Sequence, residues 1–174
     1  MADLLTHVLL AYVACTVAGW YRPIPSHWTA VMIIGSILPD LNRVTLIVSE
    51  GALEAIVGVS LEFDAISTLG GAIVLSGVGA MVVADRNQQV FAALFAGTLS
   101  HLLIDGVKAY ADGDAGMWLY PVTWARHPTP SLYVSSDPVV LISVGLIAGI
   151  VAGIDRYVIR SGEHGSDARP KEES

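Results

Sequence analysis

Long apolar stretches alternate with short polar ones along the chain, and the alternation predicts about five helices. The first covers residues 3–20 (DLLTHVLLAYVACTVAGW) and stops at the two prolines of the 21–26 loop. A second starts near His27 or Trp28 and runs through VMIIGSIL. It ends or kinks at Leu38-Pro39-Asp40, because proline lacks the amide proton and clashes with the preceding turn. A third covers about 66–84, a fourth 90–108 after the polar turn 85–89, and a fifth about 139–159. Stretches of roughly 17–21 residues are long enough to cross a bilayer. Residues 49–64 read as a short amphipathic segment and a loop, with Glu50 and Glu54 on a solvated face. Residues 110–137 read as a long non-helical stretch, and its Trp118, Tyr120, Trp124 and Tyr133 suit a membrane–water interface. Gly145, Gly149 and Gly153 form a small-residue row suited to helix packing. The polar segment SGEHGSDARPKEES predicts a disordered tail. The expected architecture is an all-α, integral membrane helical bundle over residues 1–160 with a polar tail over 161–174.

Composition sharpens this reading. Of 174 residues, 53% are hydrophobic and 14% charged, and the mean hydropathy is +0.61. An ordinary soluble domain carries about 25% charged residues, so these values point to a membrane. The formal charge of −7 argues against nucleic acid, which calls for a basic face. A single cysteine, Cys15, excludes an internal disulfide and any cysteine-based zinc cluster, and reads as a small packing residue. Met1-Ala2-Asp3 lacks the basic start of a cleavable signal peptide.

Two helices repeat one design. In the fourth, His101 and Asp105 stand one turn apart above Gly97 and Ala93. In the first, Asp3 and His7 stand above Ala11, Cys15 and Gly19. Ionisable residues in an apolar helix are costly and suggest a functional site. If the helices alternate up and down, Asp3, His7, Asp40, Asp64, His101 and Asp105 share one membrane side. Arg22, Arg86, Arg156 and Arg160 fall on the other, which leans the polar cluster outward by the preference of positive residues for the cytoplasm, with Arg43, Lys108 and Arg126 counting against it.

Each candidate has a plain structural role beside the chemical one. A histidine in an apolar helix either bonds a neighbouring carbonyl or binds metal. Asp40 either ends a helix or serves as a ligand, and Asp64 either caps the third helix or joins the site. Asp105 either binds directly or orients His101. His27 and His127 read as structural, and His164 falls in the tail.

Together these residues resemble a known family. THxxxAY at residues 6–12, GSILPDLNR at 35–43, SHLLIDGV at 100–107 and WLYPV at 118–122 are similar to the YdjM-like family. Its members are membrane proteins described as LexA-regulated in bacteria and as predicted metal-dependent hydrolases. A more distant likeness is to zinc-dependent phospholipase C proteins. The resemblance spans about residues 1–125 and implies His7, Asp40, His101 and Asp105 as metal ligands. It also implies a further histidine before the third helix, where this chain has Ser67, with Asp64 as the only nearby substitute.

Nitrogen and carboxylate donors without thiolate suit Zn²⁺ or Mn²⁺. With such an ion, Asp3 or Asp64 would accept the proton of the attacking water. At a membrane interface the accessible substrate is a phosphodiester or a lipid ester, so membrane lipid is the expected partner. Two other functions fit the same residues. One is a metal-binding membrane protein without turnover. The other is a small transporter or partner protein whose polar residues pair with one another.

Overall fold

Proline, glycine and the loop carbonyls set where the helices begin and end. The computed structural model describes residues 2–41, 51, 54–55, 58, 63–83, 86–134 and 137–166, leaving out the side chains of residues 2–3, 63–64 and 158–166. Among the described residues there are five α-helices: α1 (Ala2–Tyr21), α2 (Ser26–Ile37), α3 (Leu69–Val82), α4 (Asn87–Asp105) and α5 (Pro138–Ser166). A 3₁₀ turn, Phe63–Ser67, leads into α3. There is no strand among these residues, only isolated bridges between Lys108 and Tyr133 and between Asp114 and Pro128. The all-helical expectation holds. Most of the segment expected at 49–64 lies outside the described residues.

Two helices are short: α2 stops at the proline as expected, and α3 is shorter than its apolar pattern suggests. The 12 residues of α2 and 14 of α3 rise about 18 and 21 Å, less than the ~30 Å of a hydrocarbon core. In α2 the cause is Pro39, beyond which the chain tightens into a 3₁₀ turn over residues 38–41. In α3 the cause is a cap. Thr68 Oγ1 accepts from Gly71 N at 3.1 Å, while Leu69 N and Gly70 N donate to Trp118 O and Tyr120 O at 2.7 and 2.8 Å. A Cβ at Gly71 would run into Ala65 O and Ile66 O, so this entry requires glycine. Two helices, over Leu4–Tyr21 and Pro138–Tyr157, are long and apolar enough to cross a membrane. At the other end of the chain, α5 continues to Ser166, six residues into the stretch expected as a tail. Extending a formed helix costs far less than nucleating one, so a polar turn can follow an apolar span. Residues 167–174 lie outside the described residues.

Burial is inverted relative to a soluble domain. The interior holds small and hydroxylated residues such as Ala11, Cys15, Ser36, Ala72, Ser76, Thr98 and Ala148. Large apolar side chains point out, including Val78, Met81 and Val82 on α3 and Ile142, Leu146 and Ile150 on α5. Helices in lipid gain nothing by hiding leucine from hydrocarbon, so small residues that allow close approach line their contacts.

The helix at the centre is α4, which touches α1, α2 and α3, while α5 packs on α1. The α2–α4 crossing is the tightest. A Cβ on Gly35 would strike the Leu94 backbone, and one on Gly97 would strike Met32 O and Ser36 N. There the Thr98 hydroxyl lies 3.0 Å from Gly35 O and 2.9 Å from Leu94 O, so its proton serves both carbonyls. Ala80 of α3 and Val90 and Leu94 of α4 form an apolar cluster beside this seam, closed over by Trp28 and Val31 of α2 and Phe91 of α4. Cys15 packs in the α1–α2 contact, its Sγ 3.3 Å from Met32 Sδ. On α5 the residues turned inward are Val144, Ala148 and Val151. The glycine row is not the packing face: a Cβ on Gly145, Gly149 or Gly153 would meet nothing within 4 Å. Trp20 Nε1 donates to Asp155 Oδ1 at 3.1 Å, fixing the end of α1 beside the later part of α5.

Candidate metal centre

At the opposite end of the bundle, α1 and α4 bring His7, His101 and Asp105 together. His101 and Asp105 are one turn apart on α4, and His101 Nε2 is 3.4 Å from Asp105 Oδ2. His7 enters from α1 with its Nε2 3.4 Å from Asp105 Oδ1. The two imidazoles stack at a centroid distance of 3.7 Å, inclined by 17°. Both are essentially fully buried, and Asp105 is partly exposed. Gly97 makes this possible, since its lack of a side chain lets α2 press against the same helix one turn earlier.

The close crossing also determines the His101 tautomer. Its Nδ1 is 2.7 Å from Ser36 O, and a carbonyl can only accept, so the Nδ1 proton is donated to it. The lone pair of a neutral ring is then on Nε2, which faces Asp105. A nitrogen lone pair and a carboxylate repel unless a proton or a cation lies between them. Two protonated rings stacked at 3.7 Å in a buried site repel each other as well. A proton on the His101 ring alone, or one cation between the three groups, removes the conflict. A donor atom from each of the three residues lies within 4.8 Å of the other two. Ligand distances of about 2.0–2.2 Å at tetrahedral angles put donors roughly 3.3–3.6 Å apart, and each imidazole Nε2 lies 3.4 Å from one oxygen of Asp105, His7 from Oδ1 and His101 from Oδ2. Three protein ligands with one position left over is the pattern of catalytic rather than structural zinc sites. The donor set therefore fits a divalent ion.

His101 and Asp105 line a cavity of about 650 Å³, with His7 buried behind them. Asp40, Ser67 and Thr68 line the same space where α2 ends and α3 begins, and so do Trp118, Tyr120, Trp124 and Arg126 from the long loop. That volume is within the usual range for small-molecule sites. The loop is tied down on both sides. Its Trp118 and Tyr120 carbonyls cap α3, Leu132 N donates to Val107 O at 2.9 Å, and the Tyr133 hydroxyl donates to Ile104 O at 3.2 Å. Gly113 turns within it at φ 80°, a left-handed conformation that favours glycine.

Of the four residues implied as ligands, three converge. Asp40 shares the cavity but not the three-donor cluster. Ser67 also lines the cavity, its Oγ donating to Pro39 O at 3.2 Å. The Asp3 and Asp64 side chains lie outside the described residues, though their backbones occupy α1 and the 3₁₀ turn. Two cations in the cavity wall carry no expected role. Lys108 Nζ is 3.1 Å from Asp105 Oδ1 and 5.1 Å from the centre of the Tyr110 ring. Its i,i+3 spacing from Asp105 is readable in the chain. Arg126 Nη2 donates to Asp112 Oδ2 at 2.6 Å. That bond holds the Asp112 carboxyl below its ordinary value and raises the guanidinium further. Only the folded loop reveals this pair, fourteen residues apart in sequence.

The sequence profile described as YdjM inner membrane protein matches residues 1–161. Comparison with curated proteins and with solved structures finds no match.

Proposed function

The chain belongs to the YdjM inner membrane protein family, and on that footing we propose that it is a membrane-bound, metal-dependent hydrolase of a phosphodiester or lipid ester. The observation that carries this is the convergence of His7, His101 and Asp105, the last two of which line a ligand-sized cavity. These three residues hold the ion, Zn²⁺ or Mn²⁺ by the hardness of their donors. Such an ion supplies Lewis acidity, polarising a phosphoryl or carbonyl oxygen and making water a stronger acid. The chain's own groups do the rest. Ser36 O keeps the His101 lone pair on Nε2. Asp40, the cavity carboxylate outside the cluster, takes the proton of the attacking water. Trp118, Tyr120 and Trp124 shield the site and meet the apolar part of the substrate. In this reading the site faces the extracytoplasmic side: Arg22, Arg86 and Arg156 fall at the other end of the helices, and Lys108 and Arg126 at the cavity end count against it.

The test compares wild type with His101→Ala and Asp40→Asn on chromogenic phosphodiester and carboxylic-ester substrates, with metal content measured on the same samples. His101→Ala should lose both ion and turnover. Asp40→Asn should keep the ion and lose about 10²–10⁴-fold in rate, the usual contribution of a general base. Turnover by wild type that survives His101→Ala unchanged contradicts the proposal. One observation favours a second reading, a metal-binding protein without turnover: Ser67 lines the cavity where the family resemblance leads one to look for a histidine. Wild type that holds the ion and hydrolyses none of these substrates selects it.

A further inference from the structure

The cavity contains a donor group that neither the cluster nor the proposed chemistry uses. Arg126 is anchored along one edge of its guanidinium. Nε donates to Ala115 O at 3.3 Å, and Nη2 donates to Asp112 Oδ2 at 2.6 Å and to Asp114 O at 3.0 Å. Nη1 makes no hydrogen bond to the described residues. The side chain is 48% exposed, and it lines the same cavity as His101 and Asp105. A planar cation fixed on one edge and open at the other is preorganised for a phosphate or carboxylate. Lys108 is differently placed, since Asp105 lies 3.1 Å from its ammonium and offsets its charge within the cavity. Asp112, which holds Arg126, is itself half exposed and does not line the cavity, so solvent screens its charge. The rim adds a second preference. Met117 and Trp124 line the cavity while remaining 45% and 70% exposed, an apolar lip beside a cationic group.

We infer that Arg126 is the anion-recognition residue of this cavity, and that its ligand is an amphiphile whose polar end carries a phosphate. The inference rests on the reading of the cavity as the substrate site. It concerns binding, so it can be tested without turnover. The fixed edge holds the guanidinium in place, the Nη1 end takes the phosphate oxygens, and the acyl part lies against Met117 and Trp124. Asp112 acts through Arg126 and is a positioning residue.

The experiment uses the full chain in dodecyl maltoside with EDTA, so that no metal-dependent reaction runs. Tryptophan emission reports binding of dihexanoyl phosphatidic acid, dihexanoyl phosphatidylcholine or inorganic phosphate. Wild type should bind the phosphatidic acid at least about tenfold more tightly than the zwitterionic lipid and more tightly than inorganic phosphate. Arg126→Gln should lose roughly ten- to a hundredfold for phosphatidic acid, the range for a charge-assisted hydrogen bond, with little change for phosphatidylcholine. Arg126→Lys should keep part of the preference, and Asp112→Asn, which leaves the cation in place, should fall between. Phosphatidic acid affinity unaltered in both Arg126→Gln and Asp112→Asn overturns the inference, and so does equal wild-type affinity for the two lipids. Inorganic phosphate binding as tightly as the lipid overturns the amphiphile. If no hydrolysis is ever found but Arg126→Gln still abolishes the preference, the hydrolase reading falls and this inference stands. If wild type hydrolyses and Arg126→Gln leaves KM unchanged, the reverse holds.

Discussion

At the scale of single residues, three groups compete for the charge of one carboxylate. Asp105 has His7 and His101 at 3.4 Å and the Lys108 ammonium at 3.1 Å. A divalent ion bound by the two histidines and Asp105 must share that carboxylate with the ammonium. Lys108→Met should therefore tighten Zn²⁺ binding, by about fivefold if the displaced pair is worth the ~1 kcal/mol of a partly exposed salt bridge. Isothermal titration in detergent reads this directly, and weaker binding in the variant would show that Lys108 supports the site instead. The Asp112–Arg126 pair gives a pH prediction. The arginine holds the Asp112 carboxyl below its ordinary value, so its contribution is present above the unfolded value of about 3.9 and lost as pH falls below it. Acidification through that range should loosen the loop and shift the emission of Trp118 and Trp124. The difference between wild type and Asp112→Asn isolates this step from the other carboxylates, and identical titrations would contradict it. The histidine–aspartate pair on α4 was legible in the chain because helical spacing alone puts positions four apart on one face. The Ser36 carbonyl was not legible, because backbone groups leave no mark in a sequence. The pairing of Arg126 with Asp112 was not legible for a different reason, since it depends on the turn at Gly113.

At the scale of helices, the seam between α2 and α4 positions the site. Gly97 allows the approach that puts Ser36 O within 2.7 Å of His101 Nδ1. Gly97→Ala places a methyl group against Met32 O and Ser36 N, and such overpacking typically costs about 1–3 kcal/mol. Gly149→Ala meets nothing and gains helix propensity of up to about 1 kcal/mol. Thermal unfolding in detergent should show the first destabilised and the second neutral or stabilised. A matching loss at Gly149 would show that the outer row of α5 has a contact partner after all. The sequence marks both glycine sets alike, because spacing shows which residues share a face but not what that face meets. Helix ends differ in the same way: Pro39 marks the end of α2 in the chain itself, whereas the apolar pattern extends α3 past the point where the Trp118 and Tyr120 carbonyls cap it.

At the scale of the molecule, the helices run in alternating directions, so the start of α1, the end of α2, the start of α3 and the end of α4 meet at one end. The apolar outer surface and the small, polar interior agree with a membrane protein. The proposed outward orientation predicts that a cysteine introduced at Trp124, in a Cys15→Ala background, reacts with a membrane-impermeant maleimide in intact cells, and one at Arg22 does not. Labelling of Arg22→Cys alone would place the site on the cytoplasmic side. The central claim is that His7, His101 and Asp105 form one cation site, and elemental analysis of the purified protein after equilibration with Zn²⁺ and Mn²⁺ tests it most directly. The expected result is about one tightly held ion per chain, retained through desalting and lost in both His7→Ala and His101→Ala. Equal metal content in wild type and both variants would mean that the stacked histidines and their aspartate serve only to hold α1 against α4.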